Sequence, residues 1–194
     1  MEILEPGEEP ILNILGQKVA LGPHRRDLLS LYQTWINDPE VTRTLLGLRP
    51  WTWDEEERWF AGVSNSSDIH FTIYEKATLR PIGTTALHEI NHRHRKATFG
   101  LMIGAKDCWG QGYGTEVVRL MLDYGFRQLN LHNIMLLVHS FNERGLRAYT
   151  RAGFTEMGRR RQAYWLEGRA YDEIYMDCLA TSFQPDAPSI VSPD

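Results

Sequence analysis

Residues 100–116, GLMIGAKDCWGQGYGTE, decide how this chain is read, because an apolar strand runs through a glycine-dense turn straight into an amphipathic helix. Gly110, Gly112 and Gly114 alternate across that turn. Glycine lets the backbone approach a ligand closely and aim consecutive N–H groups one way, while the helix start adds unpaired donors and a partial positive charge. The expected product is an anion cradle suited to a diphosphate. The plainer alternative is a tight strand-to-helix connection and nothing more. The glycine spacing is GxGxG, not the GxGxxG of a dinucleotide site, and no acidic residue ends a following strand for ribose recognition. No GK[ST] follows, which argues against a nucleoside-triphosphate loop.

Downstream, Val118, Met121, Leu122, Gly125, Phe126 and Leu129 predict a buried stripe on a helix over about Thr115 to Leu129, with Arg119, Asp123 and Arg127 as a solvated ladder opposite. An apolar strand, Ile134 to Val138, follows, then a helix over Asn142 to Arg151 ended by Gly153, and strands over Phe154 to Arg160 and Tyr171 to Leu179. Upstream lie three strands of an antiparallel meander, His70 to Tyr74, Ile82 to Ile90 and Ala97 to Ile103, with a polar turn Asn91 to Arg95. Before them, Leu28, Leu31, Tyr32 and Trp35 give a helix stopped by Asn37-Asp38-Pro39. A second helix starts at Thr52, where Thr52 and Glu55 match a capping box. A first strand is expected near Gln17 to Gly22. The chain therefore reads as a loosely attached arm over 1–16, one α/β domain over 17–180 with a mixed, mostly antiparallel central sheet, and a flexible tail over 181–194.

Composition fits one soluble domain: 194 residues, 42% apolar and 24% charged, with a net charge of −4 that argues against nucleic acid as a partner. Cys108 and Cys178 are far apart and read as reduced thiols. Apolar runs fall short of the roughly 20 residues of a membrane helix, and the acidic start lacks a signal peptide's basic end. The expectation is a cytoplasmic protein with no membrane partner.

Trp109-Gly110-Gln111-Gly112-Tyr113-Gly114 resembles the diphosphate signature [Q/R]xxGx[G/A] of the GNAT superfamily of N-acetyltransferases, with Trp109 where Gln or Arg is usual. Residues 142–154, Asn142 to Phe154, resemble its second signature, NxxAxxxYxxxGF, with Gly145 replacing Ala. Glu89 to His92 and Asp123 to Phe126 are similar to the Rim-type and spermidine acetyltransferase branch, and the resemblance covers about Gln17 to Leu179. It implies acetyl-CoA as cosubstrate and an acceptor amine attacking directly in a ternary complex. It also implies that the strand ending at Ile103 and the strand Ile134 to Val138 are parallel neighbours that splay apart. On this resemblance Leu101, Met102 and Ile103 bond the pantetheine arm with their backbone and Asn142 bonds it by its side chain. The diphosphate sits on Trp109, Gly110, Gln111, Gly112, Tyr113, Gly114 and Thr115. A homodimer is a further expectation from relatives.

Acyl transfer to an amine needs a neutral amine, a stabilised oxyanion and a proton for the departing thiolate. The resemblance gives Tyr149 as the acid, against the alternative of a buried core tyrosine, and the Met102 N–H as the oxyanion donor. Thr98 stands where many relatives carry a glutamate base, so Glu89 is the chosen substitute, with His88 beside it on the opposite face of an ideal strand. Base-free attack through water is the alternative. His88, His92 and His94 suggest a metal, but Arg93 and Arg95 oppose a cation, and no metal is expected. Arg159-Arg160-Arg161 reads as a solvated strand end or a contact for an acidic group such as the 3′-phosphate. Trp51, Trp53 and Trp59 either wall a pocket for a cationic amine or pack the helical lobe, and Asp54 to Glu57 follow at once. Cys108, remote from a thioester, reads as a small loop residue. The acceptor is left open among a protein N-terminus, a polyamine and another small amine; the alternative to an enzyme is a non-catalytic acyl-CoA-binding or sensing module.

Overall fold

The computed structural model describes residues 9–45, 49–63 and 66–185. Along the chain come β1 (Ile14–Leu15), β2 (Val19–Pro23), a 3₁₀ turn, α1 (Leu29–Ile36), α2 (Pro39–Thr42) and α3 (Trp53–Val63). Next are β3 (Ile69–Glu75), β4 (Pro81–Asn91), β5 (Lys96–Ile103), a second 3₁₀ turn, α4 (Tyr113–Arg127), β6 (Asn133–His139), α5 (Glu143–Ala152), β7 (Thr155–Leu166) and β8 (Arg169–Leu179). They build one open eight-stranded sheet in the order β1-β2-β3-β4-β5-β6-β8-β7.

Each neighbouring pair is antiparallel except β5 and β6. Those two are parallel over Lys96↔Asn133, Ala97↔Ile134 and Thr98↔Met135, after which the pairing stops although both strands continue. The expected splay is present. It leaves one edge of Phe99 to Ile103 without a strand partner, while β6 keeps its pairing with β8 through His139. Two parallel neighbours need a crossover, and α4 supplies it.

Helix α4 lies against the sheet through Val117, Val118, Met121 and Leu122, all fully buried with Ile73, Ile82, Leu87 and Ile134. Burying each such side chain contributes about 1.5–3 kcal/mol. A Cβ on Gly125 would stand 2.6 Å from Ile134 Cδ1, so a larger residue there would have to push that methyl end aside. The solvated ladder is present in part, with Arg127 Nε 2.9 Å from Asp123.

Several boundaries differ from the sequence reading for local reasons. The first long strand starts at Val19, not Gln17, because the Gln17 and Lys18 N–H groups donate to the Glu116 carboxylate on α4. Within the expected arm, Ile14–Leu15 pair with β2 as an edge strand. Helix α4 begins at Tyr113, two residues before the expected Thr115, because left-handed Gly112 (φ 88°) is its N-cap, and it ends at Arg127. After Asp38 the chain restarts as α2, capped by the bond from Glu40 N–H to Asp38 Oδ1 at 2.9 Å. Strand β7 runs on to Leu166 and turns at Glu167 and Gly168, both with positive φ. Helix α3 carries the capping box as expected, Glu55 N–H to Thr52 Oγ1 at 3.3 Å and Thr52 N–H to Glu55 Oε2 at 2.9 Å. The expected tail is described as far as 185, and both 1–8 and 186–194 lie outside the described residues. No helix among the described residues is long and apolar enough to cross a membrane.

Candidate active site

The glycine turn adopts the conformation its composition requires: Gly110 has φ 75° and Gly112 has φ 88°. A Cβ at Gly110 would meet nothing within 4 Å, so backbone conformation and not space selects glycine there. The first N–H to bond back within α4 is that of Glu116, to Gly112 O at 3.2 Å. Those of Tyr113, Gly114 and Thr115 precede it and are directed out of the helix end.

A groove of about 260 Å³ joins this turn to the splay. It brings together Leu101, Met102, Ile103, Trp109, Gly110, Gly112, Tyr113, Gly114, Thr115, Asn142 and Tyr149. Gln111 alone of the expected cofactor residues does not line it; its side chain donates to Asp107 O and its carbonyl accepts from Lys18 Nζ at 3.1 Å. Trp109 Nε1–H donates to Ile103 O at 2.8 Å, tying the turn to the end of β5. The Arg144 guanidinium lies 3.9 Å above the Trp109 ring, and burial pulls its pKa below the usual range. Arg144 and Lys18 were not singled out from sequence, because they meet the turn only through the tertiary fold.

Asn142 uses its side-chain oxygen to cap α5, accepting from Gly145 N–H at 2.9 Å. A Cβ on residue 145 would lie 2.6 Å from Asn142 Nδ2, so the glycine that replaces the family's alanine makes room for this fold-back. The amide Nδ2 is the donor left to the groove. Tyr149 stands between Phe99 and Phe154, with ring centroids at 6.3 and 6.1 Å, and burial pushes its hydroxyl up to about 12. Cys108 also lines the groove, but its thiol is buried and pushed up, the reverse of an activated nucleophile.

A second cavity, about 270 Å³, meets the groove at Leu101 and Met102. Tyr32, Trp51, Trp59, His70 and His88 wall it, and Glu56 opens into it. Glu56 is only 4% exposed, and desolvation raises its carboxyl above the usual range. Of the three tryptophans, Trp53 points outward, 42% exposed. The other acids of the run face elsewhere, Glu55 to Arg49 at 2.7 Å and Glu57 to Arg26 at 3.5 Å.

The structure does not bring Glu89 to either cavity. Strand alternation breaks here: the β4–β5 register shifts between His88 and Asn91, Glu89 has φ 52°, and its exposed carboxylate accepts from Thr98 Oγ1 at 2.9 Å. His88 does line the second cavity. Its Nδ1 is 3.6 Å from Asp68 Oδ2, and a Cβ on Gly100 would stand 3.1 Å from its Nε2, so the ring lies on β5 two residues from Met102. Asp68 Oδ1 accepts from the Glu89 N–H at 2.9 Å, which aims the carboxylate. His92 and His94 sit on the exposed turn, apart from His88. Arg159 and Arg160 pair with Glu156, Asp172 and Glu173 on the outer strands, and the triplet lines neither cavity.

Comparison with known proteins adds identity to this geometry. Residues 19–155 match the family model of the acetyltransferase (GNAT) domain. The chain is 31% identical to the spermidine N(1)-acetyltransferase of Escherichia coli (strain K12) over 169 residues, 83% of this chain and 86% of that one. It is 32% identical to the enzyme of the same name from Vibrio cholerae over 128 residues, 66% of this chain and 73% of that one. The crystal structure of the Vibrio cholerae spermidine N-acetyltransferase in complex with CoA and spermine superposes with a TM-score of 0.79 at 27% identity, covering 86% of this chain and 98% of that one. These relatives are named as enzymes, which leaves the reading as a non-catalytic module without support.

Proposed function

The chain belongs to the GNAT acetyltransferase family and is an acetyl-CoA-dependent N-acetyltransferase; on that premise we propose that its acceptor is a small primary amine carrying positive charge, seated in the cavity walled by Trp51, Trp59 and Tyr32. The observation that carries this reading is Glu56. A carboxylate that is 4% exposed and opposed by desolvation costs stability unless a cation meets it, and the surrounding indole faces favour the same charge. The relatives named for spermidine support it further.

The groove fits acetyl-CoA on grounds of this fold. Left-handed Gly110 and Gly112 open a helix end to an anion, and the unpartnered edge of β5 offers main-chain groups to an amide-rich arm. We assign the diphosphate to the backbone of Trp109 to Thr115, the arm to Leu101, Met102, Ile103 and Asn142, and a supporting positive charge to Arg144. Bound acetyl-CoA supplies the thioester acetyl group. His88 accepts a proton from the acceptor ammonium through Nε2, while Asp68 behind Nδ1 holds the ring. A main-chain N–H of β5, that of Met102 by resemblance, is assigned to the charge developing on the acetyl oxygen. Tyr149 holds the proton that the leaving sulfur needs, and its raised pKa keeps it protonated. Glu89 has no part in this assignment.

The same proposal includes a cytoplasmic location, supported by two buried free thiols, and a homodimer, supported by Met157 and Trp165 exposed on the outermost strand. Free-thiol release from acetyl-CoA with spermidine, a basic-ended peptide and neutral amines as acceptors tests the acceptor class. Turnover is expected with spermidine, and turnover confined to the peptide or to neutral amines would contradict the assignment.

A further inference from the structure

We propose that Asp68, His70 and His88 form a binding site for a transition-metal ion of the Zn²⁺ class, and that the ion arrests acetyl transfer. The site follows from strand register. Ile69 pairs with Leu87 and His70 with Ala86, which sets residue 68 opposite His88 and His70 one diagonal along on the same face. One ligand atom from each of the three side chains lies within 4.8 Å of the others.

The donor set chooses the ion. Two imidazoles and one carboxylate suit Zn²⁺, Co²⁺ or Cu²⁺, whereas Mg²⁺ and Ca²⁺ prefer oxygen alone. Ligands about 2.1 Å from a shared ion stand roughly 3.4 Å apart, so the three side chains must close by about 1 Å. All three are only partly buried, which leaves room for that movement. A supporting contact exists as well: the Glu89 N–H holds Asp68 Oδ1 at 2.9 Å and leaves Oδ2 toward the histidines.

Inhibition follows from imidazole chemistry. With the ion on the Nδ1 side, where Asp68 stands 3.6 Å away, the ring proton stays on Nε2 and that nitrogen loses the lone pair that would take a proton. The bound charge also repels a cationic acceptor in the adjoining cavity. This inhibition rests on the acceptor and base assignments above, whereas metal binding does not.

Full-length protein freed of metal by chelator is titrated with Co²⁺, read by visible absorbance, and with Zn²⁺, read by calorimetry. One ion per chain is expected. His70→Gln and Asp68→Asn should each weaken binding about 100-fold or more, and the double variant of the exposed turn, H92Q with H94Q, should bind as the wild type does. Asp68→Asn keeps the acceptor for the Glu89 N–H and serves if His70→Gln fails to fold. Zn²⁺ should then inhibit turnover competitively with the amine, half-maximally at the calorimetric Kd when the amine is held far below its KM. Undiminished binding in both ligand variants, or loss of binding in the turn variant, overturns the site. Saturation by Zn²⁺ without loss of turnover leaves the site standing and overturns the arrest, and with it the role given to His88.

Discussion

Nε2 of His88 lies over Gly100 on β5 while Nδ1 lies 3.6 Å from Asp68, so one imidazole stands between a carboxylate just ahead of β3 and the place where β5 parts from β6. On the proposed assignment this imidazole takes the role of the strand glutamate that many relatives carry at the position of Thr98, a residue unable to accept a proton. His88→Gln is expected to lower kcat about 10²- to 10⁴-fold with CoA affinity unchanged. Glu89→Gln should stay within about twofold, as expected for a surface change. Steady-state kinetics with calorimetry on both variants checks this, and a collapse in Glu89→Gln would restore that residue as the base.

Tyr149→Phe removes the proton held between Phe99 and Phe154 and should cost about 10²- to 10⁴-fold in kcat. Because burial raises the hydroxyl to about 12, the wild-type kcat profile should show no alkaline fall from this group below about pH 11. An unaltered rate in the phenylalanine variant would make Tyr149 a packing residue.

Glu56 is expected to set acceptor affinity. Glu56→Gln should raise KM for a cationic amine about 10- to 100-fold, the worth of a charged hydrogen bond, and change kcat little. Its raised folded-state pKa also fixes a sign: the folded protein binds this proton more tightly than the unfolded chain does, so the penalty is relieved as pH falls through the folded pKa. The ligand-free wild type should therefore gain melting temperature from this group as pH is lowered from neutrality toward the usual carboxylate range, and Glu56→Gln should lack that gain. A pH dependence identical in both proteins would show that the carboxylate is not desolvated.

Gly125→Ala drives a methyl group to 2.6 Å from Ile134 Cδ1 between α4 and β6. Overpacking of this kind costs about 1–3 kcal/mol, readable by urea unfolding. A neutral result would mean that the Ile134 methyl end or α4 itself gives way freely.

The features legible in the sequence are those whose cause is local. The Thr52–Glu55 capping box, the Gly110 and Gly112 turn, the Gly153 helix stop and the alternation of β3 to β5 each depend on residues a few positions apart. The splay and the groove were expected only through the resemblance that the signatures at 109–114 and 142–154 carry. The sequence offered Glu89 and His88 together and could not choose between them, because a register shift after His88 turns Glu89 out of the alternation and only tertiary pairing sets Asp68 opposite His88. Arg144 over Trp109 and Lys18 beside Gly112 were hidden for the same reason. The tryptophan run fixed a lobe but not its facing, since one turn of α3 sends Trp53 to solvent and Glu56 inward.

If main-chain amides at the start of α4 grip the diphosphate of coenzyme A, as proposed, calorimetry of CoA beside pantetheine, which lacks that group, must separate the two ligands. Saturable binding of one CoA per chain is expected, with pantetheine weaker by orders of magnitude and that difference lost in Gly112→Val. Equal affinity for the two ligands, or no saturable heat with CoA, would contradict it.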